Sequence, residues 1–565
     1  MAGLATTLGS GAMTNSIADM VEADVLIVIG SNTTEAHPVI ALQMKAAVER
    51  HGARLILIDP RRIELAQFAH LHLRQYPGTD VALVNALANV ILAEGLENRA
   101  FVRDRTEGFQ AYAASVREWT PERAAAVTGV PPDLIVEAAR LYAGARAAAI
   151  FWAMGITQHA SGTDNVKALS NLALLCGQIG RPGTGLNPLR GQNNVQGACD
   201  VGGLPNVFPA YQSVGSEDVR RKFAEGWGVP YERLSPTPGL TVTEIMDAAL
   251  EGRVRALFVL GENPMLSDPN LHHVEKALRS LEFLAVQDIF LNETGEFADV
   301  VLPGVSFAEK SGTFTNTERR VQMVRPALPA RKGSRADLDI LIDLGRRLGG
   351  DWKFQSASDV FDEMARLTPS YAGLSHERLE RGGLQWPCPT PDHPGTPILH
   401  AQRFTRGLGL FAPVDYRPPP ELPDKDYPLL LSTGRILFHW HGGTLTRRSP
   451  GLDSLAPEAE VEIHPADAEV WRVKDGGRVR VTSRRGTLVA RARVTRRSPA
   501  GTIFMTFHYA EAAANLLTID AVDPVAKIPS YKVAAVRVEA VTEEMPITTS
   551  GVIARRPSRQ DTGTV

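Results

Sequence analysis

One local pattern occurs in both halves of the chain: a short β-branched run ends in glycine and leads into a polar loop. Residues 23–30 read Ala-Asp-Val-Leu-Ile-Val-Ile-Gly before Ser-Asn, and residues 254–260 precede Gly-Glu-Asn-Pro. Such a run predicts a buried parallel strand that ends at a ligand-facing loop. Open parallel sheets bind ligands outside the carboxyl ends of their strands. The repeat therefore predicts an α/β protein with two similar nucleotide sites.

The first copy of the pattern continues as a strand, helix, strand unit. A helical pattern runs to residue 50, and a second buried run at 54–58 ends in Asp59-Pro-Arg-Arg. A carboxylate after a strand can accept hydrogen bonds from a sugar hydroxyl or a guanine edge, although Asp59 also suits a turn before proline. The usual G-x-G-x-x-G string is missing from this unit, which argues against an ordinary nicotinamide or flavin site.

The stretch 189–203 reads Leu-Arg-Gly-Gln-Asn-Asn-Val-Gln-Gly-Ala-Cys-Asp-Val-Gly-Gly and predicts a loop, because it is rich in glycine and poor in large apolar residues. Its Arg190 carries a guanidinium that can bind a carboxylate or phosphate through two parallel hydrogen bonds. We therefore predict Arg190 as an anion contact. A solvated surface loop that happens to contain an arginine is the alternative.

Further patterns predict the remaining elements. Gly-Thr-Asp80 precedes a periodic helix at 81–94, for which Asp80 is a natural N-cap. Residues 309–322 predict a polar hairpin, residues 360–425 an irregular proline-rich connection, and the segment after Glu543 a flexible tail. Other expected helices lie at 121–128, 132–143 and 165–175, other strands at 148–152 and 283–286, and the strands of a small C-terminal β-barrel at 427–432, 478–483, 487–494 and 502–506.

Composition excludes several function classes. The net charge of -3 argues against a nucleic-acid partner, which needs a clustered basic face. The three cysteines show no C-x-x-C spacing, so this chain offers neither a disulfide framework nor a cysteine-ligated zinc or iron–sulfur site. His439-Trp-His441 lacks a third ligand and is weak evidence for a metal. No run of eighteen apolar residues predicts a membrane span, and no signal peptide is recognisable.

Three longer strings occur in an order that resembles a known family. They are Asn-Pro-Leu-Arg-Gly-Gln-Asn-Asn-Val-Gln-Gly-Ala-Cys-Asp at 187–200, Gly-Glu-Asn-Pro at 261–264, and Thr-Phe-Thr-Asn-Thr-Glu-Arg-Arg-Val-Gln at 313–322. Together they are similar to the catalytic subunits of molybdenum- or tungsten-dependent formate dehydrogenases, in the dimethyl sulfoxide reductase family. The resemblance extends from about residue 2 to about residue 540.

The resemblance implies an α/β fold in which two nucleotide-binding domains each hold one dinucleotide of a bis-molybdopterin guanine dinucleotide cofactor carrying molybdenum or tungsten. It also implies a C-terminal β-barrel of the double-psi type. The expected divisions are 1–192 for the first dinucleotide domain, 193–330 for the second, 331–424 for a helical and proline-rich connection, 425–541 for the dinucleotide-binding barrel and 542–565 for the tail.

The family's functional residues can be carried over to this chain by position. Arg190 matches the arginine that holds formate, and Gln192 lies beside it. The positions that match cofactor contacts are Gly30, Asn32, Glu35, His37, Asp59, Arg61, Gly78, Asp80, Met154, Gly155, Gln158, Gly261, Glu262, Asn263, Gln287, Asp288, Thr433, Arg435, His439, Asn515, Tyr531 and Lys532.

The resemblance also implies residues that this chain does not contain. Family members begin with cysteines that bind a 4Fe-4S cluster, followed by a cysteine or selenocysteine metal ligand and its histidine. Met1 matches a position a few residues after that ligand, so the chain is expected to be an N-truncated fragment that is inactive alone. An in-frame UGA selenocysteine codon read as a stop would explain this start; a truncated gene or a designed fragment are the alternatives. The nucleotide sequence upstream of codon 1 tests the selenocysteine explanation.

Expected partners follow from the same resemblance. They are formate, the missing N-terminal segment and an electron-transfer subunit that is NAD-linked or ferredoxin-like, with no nucleic acid and no membrane span. The length after Met1 resembles cytoplasmic forms of the enzyme. Two rival functions share the cofactor loops or the fold: a nitrate reductase or other oxidoreductase of the same family, and a cofactor-poor scaffold subunit.

Overall fold

A five-stranded parallel sheet forms the centre of the first half of the molecule. The computed structural model describes residues 1–542 and 548–549, so most of the tail expected to be flexible lies outside the described residues. The strand order is Leu71–Leu73, Arg54–Ile58, Val25–Ile29, Ala148–Trp152 and Gly185–Pro188. Alternate residues of the two central β-branched strands enter different hydrophobic clusters, Ile27 and Ile56 in one and Leu26 and Leu57 in the other. The sheet is therefore buried on both faces, as its continuous apolar strands predict.

Helices cover both faces of this sheet. The predicted helices at 121–128 and 132–143 are confirmed at the expected bounds. The prediction that Asp80 is an N-cap was wrong by one position: Thr79 precedes the helix, and the Asp80 carboxylate accepts a hydrogen bond from Gln75 Nε2 at 2.9 Å. The helices are Ala2–Leu8, Thr33–Ala36, Pro38–His51, Asp80–Ala93, Arg99–Arg105, Phe109–Val116, Pro121–Thr128, Pro132–Ala143, Met154–Thr157 and Gly162–Cys176.

A second parallel sheet has three strands, with Phe283–Asp288 between Ala256–Leu260 and Val300–Pro303. Its central strand is two residues longer than predicted, so the strand includes Gln287 and Asp288. Helices Val242–Leu250 and Leu271–Ser280 pack on one face. The predicted hairpin is confirmed as antiparallel strands Gly312–Thr315 and Arg320–Val324. A third short strand, Leu384–Gln385, pairs with Arg320–Val324.

The stretch predicted as a loop is partly helical, and that prediction was wrong for residues Val195–Asp200. Asn194, at φ 58°, starts this helix and accepts a hydrogen bond from the Thr315 amide at 2.9 Å. Gln196 and Asp200 are buried, so tertiary contacts outweigh the low helix propensity of a segment that contains glycine.

The region between the second sheet and the barrel is more regular than the proline-rich composition suggests. Helices Asp337–Arg347, Ala357–Leu367 and His376–Glu380 occur there, and Gly409–Leu410 pairs with Thr106–Glu107 of the first half. The remaining short elements are the helices Glu217–Trp227, Pro264–Ser267, Pro450–Leu455 and Pro465–Val470 and the paired strands Val207–Phe208 and Gln212–Ser213.

The C-terminal region is a closed six-stranded barrel, which confirms the predicted fold class. The strand order is Glu460–Ile463, Thr502–Thr506, Leu429–Gly434, Ala534–Val541, Arg478–Thr482 and Thr487–Val494, and the first and last strands pair in parallel. The sequence reasoning missed the strands at 460–463 and 534–541. The exact domain divisions stay a prediction.

Among the described residues, the helices all fall short of the length and apolar character that a membrane span requires.

Candidate cofactor and substrate site

A cavity of about 480 Å³ lies where the first sheet, the second α/β unit and the barrel meet. The carboxyl ends of four strands of the first sheet open into it, as the parallel topology requires. Loops from the other two units complete its wall. The unpredicted residues of the wall include Ser31, Gln75, His159, Leu266, Ser267, Asp268, His441, Phe504 and Phe507.

Most of the predicted site residues lie on this cavity, and their roles stay predictions. The residues on its wall are Gly30, Asn32, Asp59, Arg61, Gly78, Asp80, Met154, Gly155, Gln158, Gln192, Glu262, Thr433, Arg435, Asn515, Tyr531 and Lys532. The residues that do not line it are Glu35, His37, Arg190, Gly261, Asn263, Gln287, Asp288 and His439.

Several predicted residues away from the wall make contacts within the protein. Glu35 forms an ion pair with Arg497 at 2.9 Å, which joins the first loop to the barrel. Gln287 is fully buried, and its Nε2 donates to Asp337 Oδ1 at 2.8 Å. His439 hydrogen-bonds the Ala456 carbonyl at 2.8 Å. These contacts hold the three side chains in place, while Glu35 Oε2 and Gln287 Oε1 are buried without a partner within the described residues.

Two glycines bring strand ends of the first sheet unusually close together. Gly30 has φ +56°, and a Cβ there would lie 2.8 Å from the carbonyl carbon of Gly155. A Cβ on Gly155 would lie 2.5 Å from the Gly30 oxygen, and the Gly155 amide donates to that oxygen at 3.0 Å. The two loops therefore touch through bare backbone on the cavity wall.

We expect Gly30→Ala to destabilise the protein by about 3 kcal/mol, because backbone strain and a backbone clash add together. Gly52→Ala is the matched control: Gly52 has φ +75°, but no atom lies within 4 Å of the position that its new Cβ would take. That control should cost only about 1 kcal/mol. Chemical unfolding of both variants checks the difference, and equal losses would contradict the close approach.

The cavity holds buried groups of both charges. Burial raises the pKa of Asp59 and that of Asp80 to about 6, and burial lowers the pKa of Lys532 to about 7. Arg61 forms an ion pair with Glu462 at 2.9 Å, and its guanidinium lies 3.4 Å from the Phe504 ring centroid. Burial also lowers the pKa of Arg435 to about 10. The wall thus combines cations suited to phosphate with carboxylates suited to N–H and O–H donors.

Four buried polar atoms on this wall have no hydrogen-bond partner within the described residues. They are Asn32 Nδ2, Gln75 Oε1, Asp268 Oδ2 and Asn515 Oδ1. An unpaired buried polar group costs about 1–3 kcal/mol, and such groups occur where a ligand or water completes the contacts. The cavity wall therefore offers unpaired donors and acceptors to a polar ligand that carries both kinds of group.

We expect Asp268→Asn to stabilise the ligand-free protein at alkaline pH. Burial raises the pKa of Asp268 from 3.8 to about 7, so the folded state binds a proton that the unfolded state releases in this range. The wild-type free energy of unfolding should fall as pH rises from 3.8 to about 7. The full penalty is on the order of 4 kcal/mol.

Unfolding of wild type and Asp268→Asn at about pH 4 and about pH 8 checks this prediction. The variant should match wild type at the lower pH and exceed it at the higher pH. A difference that is the same at both pH values would contradict ionisation as the cause.

Arg190 is held beside the cavity rather than on its wall. Its Nε donates to Gln196 Oε1 at 3.2 Å, and its Nη2 donates to the Gly11 carbonyl at 3.0 Å. The Arg190 amide donates to Thr317 Oγ1 at 3.1 Å. Nη1 makes no hydrogen bond within the described residues, so a fixed guanidinium keeps donors for an anion.

His37 and Arg435 hold the backbone carbonyls of Arg190 and Gly191. His37 Nε2 donates to the Arg190 carbonyl at 2.6 Å, and burial lowers the His37 pKa to about 4. His37 is therefore neutral at pH 7, and its buried Nδ1 is an acceptor without a partner within the described residues. At the next peptide, Arg435 Nη1 donates to the Gly191 carbonyl at 3.4 Å and to His441 Nε2 at 3.3 Å.

The cavity residues that sequence reasoning missed gave weak signals. Gln75 follows the strand Leu71–Leu73, which is too short to show a clear pattern. Asp268 stands four residues after the Asn-Pro of the second strand-end motif, and a search along that loop would have found it. His159 has no distinctive spacing, and His441 was considered only as a weak metal candidate.

Comparison with known proteins decides the family. Residues 3–347 match the family profile described as "Molybdopterin oxidoreductase", and residues 429–535 match the "Molydopterin dinucleotide binding domain". The chain belongs to the molybdopterin oxidoreductase family. The first match covers more than half of the chain, and the second falls on the barrel, so the family expected from the resemblance is confirmed.

Curated relatives of this molybdopterin oxidoreductase include formate dehydrogenases. The chain is 49% identical over 543 residues to F420-dependent formate dehydrogenase 1 subunit alpha of Methanococcus maripaludis, covering 95% of this chain and 80% of the relative. It is 39% identical to formate dehydrogenase H of Escherichia coli, covering 96% and 76%.

A solved structure supports the fold alone. Acetylene hydratase from Pelobacter acetylenicus superposes with a TM-score of 0.75 at 20% identity, covering 96% of this chain and 80% of that one. At this identity the likeness says nothing about the reaction.

The residues on the cavity fit a molybdopterin dinucleotide. Asp59, Asp80 and Asp268 could accept hydrogen bonds from guanine N–H groups or ribose hydroxyls, while Lys532 and Arg435 could neutralise phosphates. The orphaned amide atoms of Asn32 and Asn515 would gain partners in the same way. No group of three or more His, Cys, Asp or Glu side chains in the described part of the chain could hold a metal ion by itself.

Proposed function

We propose that this protein is the catalytic subunit of a formate dehydrogenase that converts formate into carbon dioxide, one proton and two electrons. The observation that carries the proposal is Arg190, whose guanidinium is fixed by Gln196 and Gly11 while Nη1 keeps its donors. Formate is a small carboxylate, the anion that a guanidinium binds best. The names of relatives at 48–49% identity support the same substrate.

The cofactor we propose is bis-molybdopterin guanine dinucleotide with molybdenum or tungsten. When bound, it would supply the two-electron acceptor that no amino-acid side chain provides. We assign to it Asp59 and Asp80, which follow strands of the first sheet, the barrel residue Lys532, and Glu262 and Asp268 of the second α/β unit. The cofactor contacts of the family-matched residues that do not line the cavity also remain proposals, and a ligand-bound structure would test them.

The contribution of the protein to the reaction is positioning and electrostatics. Arg190 would hold the carboxylate oxygens, and Gln192, exposed at the cavity mouth, would donate a further hydrogen bond. A prearranged cation stabilises the bound anion without reorganising water during the reaction. His37 is neutral, so it adds no positive charge beside the Arg190 carbonyl.

Several finer expectations remain proposals based on the family. These are the selenocysteine or cysteine ligand, the 4Fe-4S cluster, an electron-accepting partner subunit and cytoplasmic location. The names of three relatives at 48–49% identity add F420 to the electron acceptors to be tested.

Anaerobic assays of the native holoenzyme test the proposal. We expect formate to reduce benzyl viologen and one of F420, NAD or ferredoxin, with carbon dioxide formed in equal amount to the electron pairs. Nitrate, offered with reduced viologen, should not be consumed. Nitrate reduction without formate oxidation would replace the proposal by its rival within the family.

A further inference from the structure

A buried carboxylate outside the cavity is linked to Arg190 through one side chain. Asp200 is 1% exposed and accepts four hydrogen bonds. Gln196 Nε2 and Tyr211 Oη donate to its Oδ1 at 2.8 and 2.7 Å, and Tyr371 Oη and Trp386 Nε1 donate to its Oδ2 at 2.7 and 2.6 Å. Gln196, also 1% exposed, connects this carboxylate to the Arg190 guanidinium.

The chemistry of the neighbours fixes the orientation of the Gln196 amide. An ionised Asp200 only accepts hydrogen bonds and an arginine only donates them. The amide nitrogen of Gln196 must therefore face Asp200, and its oxygen must face Arg190 Nε. If the amide were flipped, the Gln196 oxygen would face the Asp200 carboxylate, and the Gln196 nitrogen would face the N–H of Arg190 Nε.

The donors to Asp200 come from distant parts of the chain and are held rigidly. Tyr211 adopts φ +61°, next to Ala210 at φ +57°, and left-handed backbone at residues other than glycine costs about 1–2 kcal/mol each. Strain of this kind persists where the surrounding structure enforces it, often beside functional sites. Tyr371 and Trp386 belong to one hydrophobic cluster, so the connecting region anchors the other carboxylate oxygen.

We propose that Asp200 and Gln196 are positioning residues that set the angle of the Arg190 guanidinium for a carboxylate substrate. This inference rests on the proposed function and deepens it. Asp200 acts through Gln196, while Gly11 holds Nη2, and the two contacts together leave Nη1 directed at the substrate.

Asp200→Asn is the decisive variant, because it changes hydrogen-bonding roles with little change in volume. Trp386 Nε1 can only donate, so the new amide must keep its oxygen towards Trp386 and turn its nitrogen towards Gln196. Gln196 then has to flip and present a donor to Arg190 Nε. We expect the KM for formate to rise about tenfold while kcat changes less than about threefold.

Two further variants and one binding readout complete the test. Gln196→Met removes the acceptor for Arg190 without altering Asp200, and should raise KM by a similar factor even if Asp200→Asn folds poorly. Tyr371→Phe removes a donor from the far oxygen of Asp200 and should leave KM within about twofold. Calorimetry of formate binding to the holoenzyme after its reduction, so that no electrons can be taken from formate, should show the same pattern in Kd.

Each outcome supports or overturns one statement. A wild-type holoenzyme that neither binds nor oxidises formate overturns the proposed function. A wild type that does both, with Asp200→Asn and Gln196→Met at wild-type KM and Kd, overturns only the positioning role. Losses of stability and kcat shared by all three variants at constant KM show a purely structural network and also overturn it.

Discussion

Arg190→Ala in the holoenzyme should lower kcat/KM for formate by about 100-fold, or about 3 kcal/mol of transition-state stabilisation. The reason is that the variant removes the fixed cation that we propose binds formate, and a charge-assisted hydrogen bond is worth about 1.5–3 kcal/mol. Steady-state kinetics with formate and viologen measure the effect.

Two variants make this result specific. Arg190→Lys keeps the charge but loses the planar pair of donors, so it should retain part of the activity. Asn193→Ala changes an exposed side chain of the same stretch and should behave as wild type. Unchanged formate kinetics in Arg190→Ala would contradict the assignment of the substrate contact and favour another reaction within the family.

Arg319→Met should lower the free energy of unfolding by about 4 kcal/mol or more. Arg319 is 0% exposed and donates to the carbonyls of Met13, Trp386, Thr396 and Pro397. Burial lowers its pKa to about 9, so it stays protonated at neutral pH. Methionine fills similar space but removes the donor that Arg319 supplies to the carbonyls of Met13, Trp386 and Thr396, while Pro397 keeps a bond from the Ser16 hydroxyl. Each buried unsatisfied group costs about 1–3 kcal/mol.

Arg325→Met is the control for this loss of stability. Arg319 directly precedes the hairpin strand Arg320–Val324, and Arg325 directly follows it. The Arg325 side chain, however, is 54% exposed and pairs with an exposed Glu380. Exposed ion pairs contribute about 0–1 kcal/mol. Thermal and urea unfolding should therefore show a much larger loss of stability for Arg319→Met than for Arg325→Met. Similar losses would show that Arg319 does not hold together the segments whose carbonyls it contacts.

The sequence predicted the strands and strand-end loops that short runs of neighbouring residues determine. The buried strands at 25–29 and 54–58 were found because runs of five and four consecutive apolar residues leave little choice of structure. Strand ends also placed Gly30, Asp59 and Glu262 on one cavity, because parallel topology brings carboxyl ends together.

The elements that were missed depend on contacts far along the chain. Asp200 meets Tyr371 and Trp386 across 171 and 186 positions, and no local pattern announces such a pairing. The helix that carries Asp200 contains glycine and was predicted as a loop for that reason. The barrel strand Glu460–Ile463 is short and half polar, so it becomes a strand only because its neighbours close the barrel.

The central claim is that two similar strand-end sites, one in each α/β half, hold the two guanine dinucleotides of one cofactor. Acid hydrolysis of the native holoenzyme, followed by chromatography of the released nucleotide, tests it most directly. We predict about two molecules of GMP for each protein chain, one for each strand-end site. Release of about one molecule, or of none, would contradict it.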